Sequence, residues 1–109
     1  MLVTGYRSMW IWVMFDLPTE TKRARREYAI FRKALLADGF TMMQYSVYVR
    51  PCASQENANV HVQRVERAIP PDGEVRLLVT TDKQFERMHI FLGKLRKSPE
   101  KPPDQLQLF

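Results

Sequence analysis

The chain has 109 residues and a mass of 12.9 kDa, the size of one ordinary domain with no room for a second. Hydrophobic residues make up 45% and charged residues 27%, a globular composition, and the longest apolar run, Met9 to Phe15, is far short of the roughly 20 residues a membrane span needs. Seventeen Lys and Arg against twelve Asp and Glu leave a charge of +5 and a pI near 9.7, so the placement of the positive charge becomes the question.

The single cysteine, Cys52, can form neither an internal disulfide nor a zinc site, so a cytoplasmic protein without structural metal is expected. The first seven residues hold no apolar segment followed by a cleavage site, and no secretory leader is expected. A chain this short buries only roughly 65% of its unfolded surface, so a second copy would add to a thin core.

Taken in order, Met9 to Phe15 is continuously apolar and closes on Asp16, which reads as a central strand covered on both faces. The period then switches. Ala24, Tyr28, Phe31 and Leu35 make one helical stripe, with Thr19 or Thr21 as N-cap and Asp38-Gly39-Phe40 as the stop. From Phe40 the period is two again, giving a strand to Gln44 and a second over Val47 to Arg50, read as joined tightly near Tyr45-Ser46, with one long bent strand as the alternative. Pro51 is expected to end that ladder, because it has no N–H to donate. Ser54 caps a second helix with Ala58, Val62, Val65 and Ile69 as its stripe, and Pro70-Pro71-Asp72-Gly73 makes a turn. Val75 to Thr81 is the fourth strand, Asp82 to Phe85 a capped single turn, and Met88 to Leu92 a short fifth strand. Residues 1–93 form the domain, and residues 94–109 are expected to be a basic, proline-rich tail. The order strand, helix, strand, strand, helix, strand predicts an α+β fold of ferredoxin-like βαββαβ plan, with both helices on one face of an antiparallel sheet.

Six positive residues, Lys22, Arg23, Arg25, Arg26, Arg32 and Lys33, crowd the first helix. They leave its apolar stripe free and project outward, either as a solvated helix face or as a ridge able to hold phosphates. Basic residues at a helix N-terminus oppose its dipole, so a purely structural role does not favour them there. Asp16 emerges at the end of the apolar strand, just ahead of this helix. One carboxylate holds Mg²⁺ poorly, but two copies across a dimer axis, together with phosphates, could complete its oxygen shell and activate a water. Hydrogen bonding to the following turn is the plainer role for Asp16. No second carboxylate is evident near Asp16 in the linear sequence. His61 and His89 are too isolated for a ligand or base, Cys52 reads as a packed residue, and Trp10 and Trp12 share a strand face where core packing is favoured over base stacking.

The string Trp12-Val13-Met14-Phe15-Asp16-Leu17-Pro18, the basic helix after it, and Gly39 to Arg50 with its Gln44-Tyr45-Ser46-Val47-Tyr48 hairpin together resemble the small CRISPR-associated endoribonuclease family, the second core protein of spacer acquisition. Leu77 to Phe85 extends the similarity, and its Thr81-Asp82-Lys83-Gln84-Phe85 segment is similar to versions found in type II systems. The resemblance implies a homodimer in which each C-terminal strand, here residues 88–92, joins the partner's sheet. It implies a Mg²⁺-dependent phosphodiesterase with Asp16 as the metal-binding, catalytic residue, acting on single-stranded RNA or duplex DNA. It also implies that the dimer bridges two dimers of the Cas integrase and supports captured DNA. Lys22, Arg23, Arg25 and Arg26 match the region used for the nucleic-acid backbone, and Ser46 and Arg50 match the hairpin flanking the site. Two other classes share the fold. An RNA-binding module of the RNA-recognition type should carry a glycine-containing aromatic signature on its third strand, which Ser46 to Arg50 lacks. A toxin-like regulatory dimer has no signature that separates it.

Overall fold

Seven apolar residues in a row place β1 (Met9–Asp16) at the centre of a sheet. The computed structural model describes residues 8–93, and the expected tail, 94–109, lies outside them. After β1 come α1 (Lys22–Ala37), β2 (Thr41–Gln44), β3 (Val47–Cys52), α2 (Gln55–Ala68), β4 (Glu74–Thr81) and α3 (Asp82–Glu86). β1 pairs antiparallel with β3 from Met9↔Cys52 to Met14↔Val47, and with β4 from Met9↔Thr81 to Asp16↔Glu74. β2 adds to the far side of β3, so the order is β2-β3-β1-β4. This is the ferredoxin-like plan that the sequence predicts.

Met9, Ile11, Val13 and Phe15 are buried against Phe31 and Leu35 of α1 and Ala58 and Val65 of α2. Each such large side chain contributes about 1.5–3 kcal/mol when taken fully out of water. The expectation that β1 is covered on both faces holds for this face alone. Trp10, Trp12 and Met14, which alternate with the core residues, are only half-buried. They lie on the face away from α1 and α2, and only the short α3 reaches it. The Phe85 ring stacks on Trp10 at 3.8 Å and 8°. The Trp10 indole N–H donates to Asp82 Oδ1 at 2.8 Å, and that of Trp12 to Thr80 Oγ1 at 3.0 Å. The two rings thus lie outside the core in which the sequence predicts them to pack, held half-buried on the opposite face of the sheet.

Helix ends follow local chemistry. The Thr21 hydroxyl accepts from the Ala24 N–H and the Ser54 hydroxyl from the Asn57 N–H, each at 3.0 Å. Gly39, at φ +89°, takes the left-handed position after α1, which costs a glycine little. Thr81 and Gln84 form a reciprocal cap that starts α3.

The expected stop of β3 is corrected. β3 does not stop at Pro51 but runs to Cys52, with Pro51 opposite Trp10. β2 reaches β3 only as far as Val49, so beyond it β3 has an open outer side. The Pro51 carbonyl points there, accepting from Arg50 Nη1 at 2.8 Å, and a missing N–H on an open side removes no ladder bond. Met88 to Leu92, the segment expected to pair with a partner's sheet, forms no strand within the single chain. A strand exists only against a partner ladder, and these residues meet none here; Ile90 and Phe91 stay exposed.

Candidate nucleic-acid interface and active site

Asp16 is the last residue of β1 and is exposed. By strand alternation it falls on the sheet face away from α1 and α2, in line with Met14 and Trp12. Directly across the ladder stands Glu74, the first residue of β4. Opposed residues in an antiparallel pair hold their Cβ atoms about 5 Å apart on the same face. Asp16 thus has a second carboxylate beside it, which the linear sequence hid. Glu74 also lies 3.2 Å from Arg76, an exposed pair of the kind that contributes little. The turn before β4 is pressed against the same spot. A Cβ on Gly73, at φ +99°, would sit 2.6 Å from Leu17 Cδ2 and 2.9 Å from the Asp16 carbonyl oxygen.

On the other flank of the strand end lies the β2–β3 hairpin. The Phe15 N–H donates to the Ser46 carbonyl at 3.1 Å, tying the hairpin tip to the residue before Asp16. Ser46 adopts φ +65°, and its hydroxyl is 3.4 Å from that of Tyr28. The Tyr28 ring packs edge-on against Phe15 at 5.7 Å and lies near-parallel to Tyr45 at 6.4 Å and 24°. Tyr28, through its hydrogen bond and the repulsion between phenolates, pushes the Tyr45 hydroxyl above the usual phenol pKa. The backbone at Ser46 is therefore joined to the end of β1, while its hydroxyl turns toward Tyr28 of α1.

Lys22, Arg23, Arg25, Arg26, Arg32 and Lys33 are all exposed. Among the described residues none of them forms an ion pair; the three pairs present are His61–Asp38, Arg64–Asp38 and Arg76–Glu74. Arg25 donates only to the Thr19 carbonyl, at 3.0 Å. The first turn of α1 contains no acidic residue. Four unneutralised cations at a helix N-terminus oppose the dipole without compensation. An anion at this end of α1 would relieve that repulsion.

Arg50 is not part of this assembly. It sits opposite Ile11, five residues or roughly 16 Å along the sheet from Asp16, and on the other face. Its Nε donates to the Asp38 carbonyl at 2.7 Å, and its Nη1 to the Pro51 carbonyl. There it closes the C-terminus of α1, beside Gly39. Asp38 joins the same lock through its side chain. Arg64 Nη1 and His61 Nδ1 each lie 2.8 Å from a carboxylate oxygen, and both must donate because a carboxylate only accepts. Burial by itself raises the Asp38 pKa, but the bonds from His61 and Arg64 outweigh it and hold the carboxyl below its usual value. His61 is buried and structural. Burial likewise pushes the Cys52 thiol up, which suits a packed residue rather than a nucleophile.

A protein-family model described as "CRISPR associated protein Cas2" matches residues 9–88. That match takes in every strand and helix of the fold. The chain belongs to the Cas2 family. A Parvibaculum lavamentivorans protein called CRISPR-associated endoribonuclease Cas2 is 59% identical over 101 residues, covering 93% of this chain and 100% of the relative. Relatives of the same name from Flavobacterium psychrophilum and Paracidovorax avenae are 51% and 48% identical, covering 95% and 99% of this chain and 90% and 100% of their own lengths. Asp16, the basic helix, the Tyr45-Ser46 hairpin and Glu74 all fall within the residues that the Cas2 model matches. No described helix is long and apolar enough to cross a membrane.

Proposed function

We propose that this chain is a CRISPR adaptation subunit: a homodimeric, Mg²⁺-dependent phosphodiesterase acting on single-stranded RNA or duplex DNA, which also bridges dimers of the Cas integrase and carries captured spacer DNA. The observation that carries this reading is the row of unpaired cations, Lys22 to Arg26, starting six residues after an exposed strand-end carboxylate that has Glu74 opposite it. Relatives with up to 59% identity bear the name endoribonuclease, and their likeness spans the whole site.

The donor chemistry fits a hard cation. Mg²⁺ is held through one or two carboxylates and keeps several waters, and Asp16 and Glu74 offer two carboxylates open to solvent. When bound, such an ion lowers the pKa of a water and neutralises phosphate charge. Lys22, Arg23, Arg25 and Arg26 hold the backbone and supply the counter-charge, and Ser46 keeps the hairpin against the end of β1. The apolar surface supports a second copy. Trp12, Met14 and Leu78 leave the sheet face half-open, and Ile90 and Phe91 are exposed in the segment that lacks a ladder partner. A partner laid on this face would cover both and bring two Asp16 carboxylates together. The integrase partner and the cytoplasmic setting rest on the family alone.

Purified Asp16→Asn should keep its mass in solution and its nucleic-acid binding, and lose at least about 100-fold of Mg²⁺-stimulated cleavage. Unchanged cleavage overturns the metal role. Affinity capture from the native host should bring down the Cas integrase; its absence overturns the bridging role.

A further inference from the structure

Tyr45 is the side chain on this surface that neither packing nor charge explains. It stands at the tip of the β2–β3 hairpin with 76% of its surface exposed, and exposing an aromatic ring forgoes the burial it would bring elsewhere. The ring is nonetheless held. One side lies near-parallel to Tyr28, and Tyr28 is braced edge-on by Phe15 of the core. The adjacent Ser46 is fixed in the left-handed region and bonded through its carbonyl to the Phe15 N–H. The result is an aromatic shelf, anchored on one side and open on the other, one residue from the hydrogen bond that precedes Asp16.

A flat, open ring braced on the helix that carries the unpaired cations is the chemistry that takes an unpaired base. Stacking on an aromatic side chain is sequence-tolerant, because every base has a π-face. A base inside a duplex is already stacked on both sides, and taking it out costs a few kcal/mol. We propose that Tyr45 stacks one unpaired base at the hairpin tip, at the end of the sheet where β1 closes on Asp16, which gives the site a preference for single-stranded over duplex nucleic acid. This rests on the proposed nuclease reading and adds the form of the substrate.

The test uses the full chain without Mg²⁺, a short single strand carrying 2-aminopurine, and the same sequence as a duplex. Tyr45→Ala should weaken single-strand binding about five- to fiftyfold, leave its salt dependence and the duplex affinity unchanged, and abolish the quenching of 2-aminopurine on binding. Tyr45→Phe should restore both affinity and quenching. Equal loss for strand and duplex, or no loss, overturns the proposal. A lowered solution mass for Tyr45→Ala also overturns it, by making the ring part of a subunit interface. If the wild-type chain binds neither nucleic acid, the nuclease reading falls and this proposal with it. If the wild type binds and Tyr45→Ala leaves single-strand affinity and quenching unchanged, only the stacking role falls.

Discussion

At the C-terminal end of α1, Asp38 is held by His61 and Arg64 while Arg50 closes on its carbonyl. At the N-terminal end, about 24 Å away along the helix, Lys22, Arg23, Arg25 and Arg26 face solvent, and among the described residues none of them forms an ion pair. One helix thus carries a satisfied cluster and an unsatisfied one. The satisfied cluster joins α1 to α2 and β3, which is reason enough for it in a small fold. The unsatisfied cluster works against the helix dipole and has no such account. Charge that is unpaired, clustered and unfavourable where it sits points outward, to an anion that the chain itself does not supply.

Breaking the satisfied end should have the larger thermodynamic effect. Asp38→Ala leaves the buried His61 N–H without its acceptor, and should lower stability by about 2–3 kcal/mol and the melting temperature by about 10–20 °C. Nucleic-acid binding by the folded fraction should be unchanged. The pH dependence follows from the lowered carboxyl pKa. The Asp38 contribution is complete above its ordinary value of 3.8 and is lost as pH falls through the lower folded value. Urea melts of wild type and Asp38→Ala should therefore converge in strong acid and stay apart at neutral pH.

The unsatisfied end should respond in the opposite sense. Replacing Lys22, Arg25 and Arg26 together by Ala should weaken duplex binding about tenfold or more, and reduce the slope of log affinity against log salt by about 0.9 for each phosphate no longer neutralised. Thermal stability should hold or rise slightly, since the removed charges oppose the dipole. A clear fall in melting temperature with an unaltered salt slope would make the two ends alike and dissolve the contrast. The smallest expected effect is Gly39→Ala. It forces a side chain into φ +89° with its Cβ 3.1 Å from Arg50 Nε, and should cost about 1 kcal/mol in a denaturant melt without changing binding.

Much of the fold is legible in the sequence because it is local. The seven-residue apolar run, the three- and four-residue stripe of Phe31 and Leu35, the caps Thr21 and Ser54 and the stop at Gly39 each follow from a few neighbouring residues. Asp16 is legible for the same reason, as the charge that closes an apolar strand. Glu74 is not. It becomes a neighbour of Asp16 only through the β1–β4 register, and no short-range pattern encodes that pairing. Arg50 fails differently. The hairpin motif groups it with Ser46, but four residues of strand, roughly 13 Å, separate the two, and the Arg50 guanidinium is spent on the Asp38 and Pro51 carbonyls. Pro51 reads as a terminator, and only the short reach of β2, which leaves the outer side of β3 open, lets the strand continue through it.

The packing of Gly73 gives the α2–β4 turn a role that a connecting loop does not usually have. Because a Cβ at Gly73 would come within 2.9 Å of the Asp16 carbonyl oxygen and 3.1 Å of the Leu17 α-carbon, a side chain there must push the end of β1 aside, and with it the carboxylate that closes the strand. Residues 70–73 thus behave as a spacer gauge for the site. Lengthening or stiffening that turn should shift the alignment of Asp16 against Glu74 while leaving every charged residue in place. The tolerance of this surface loop to change is then set by the geometry of a site to which it contributes no functional group.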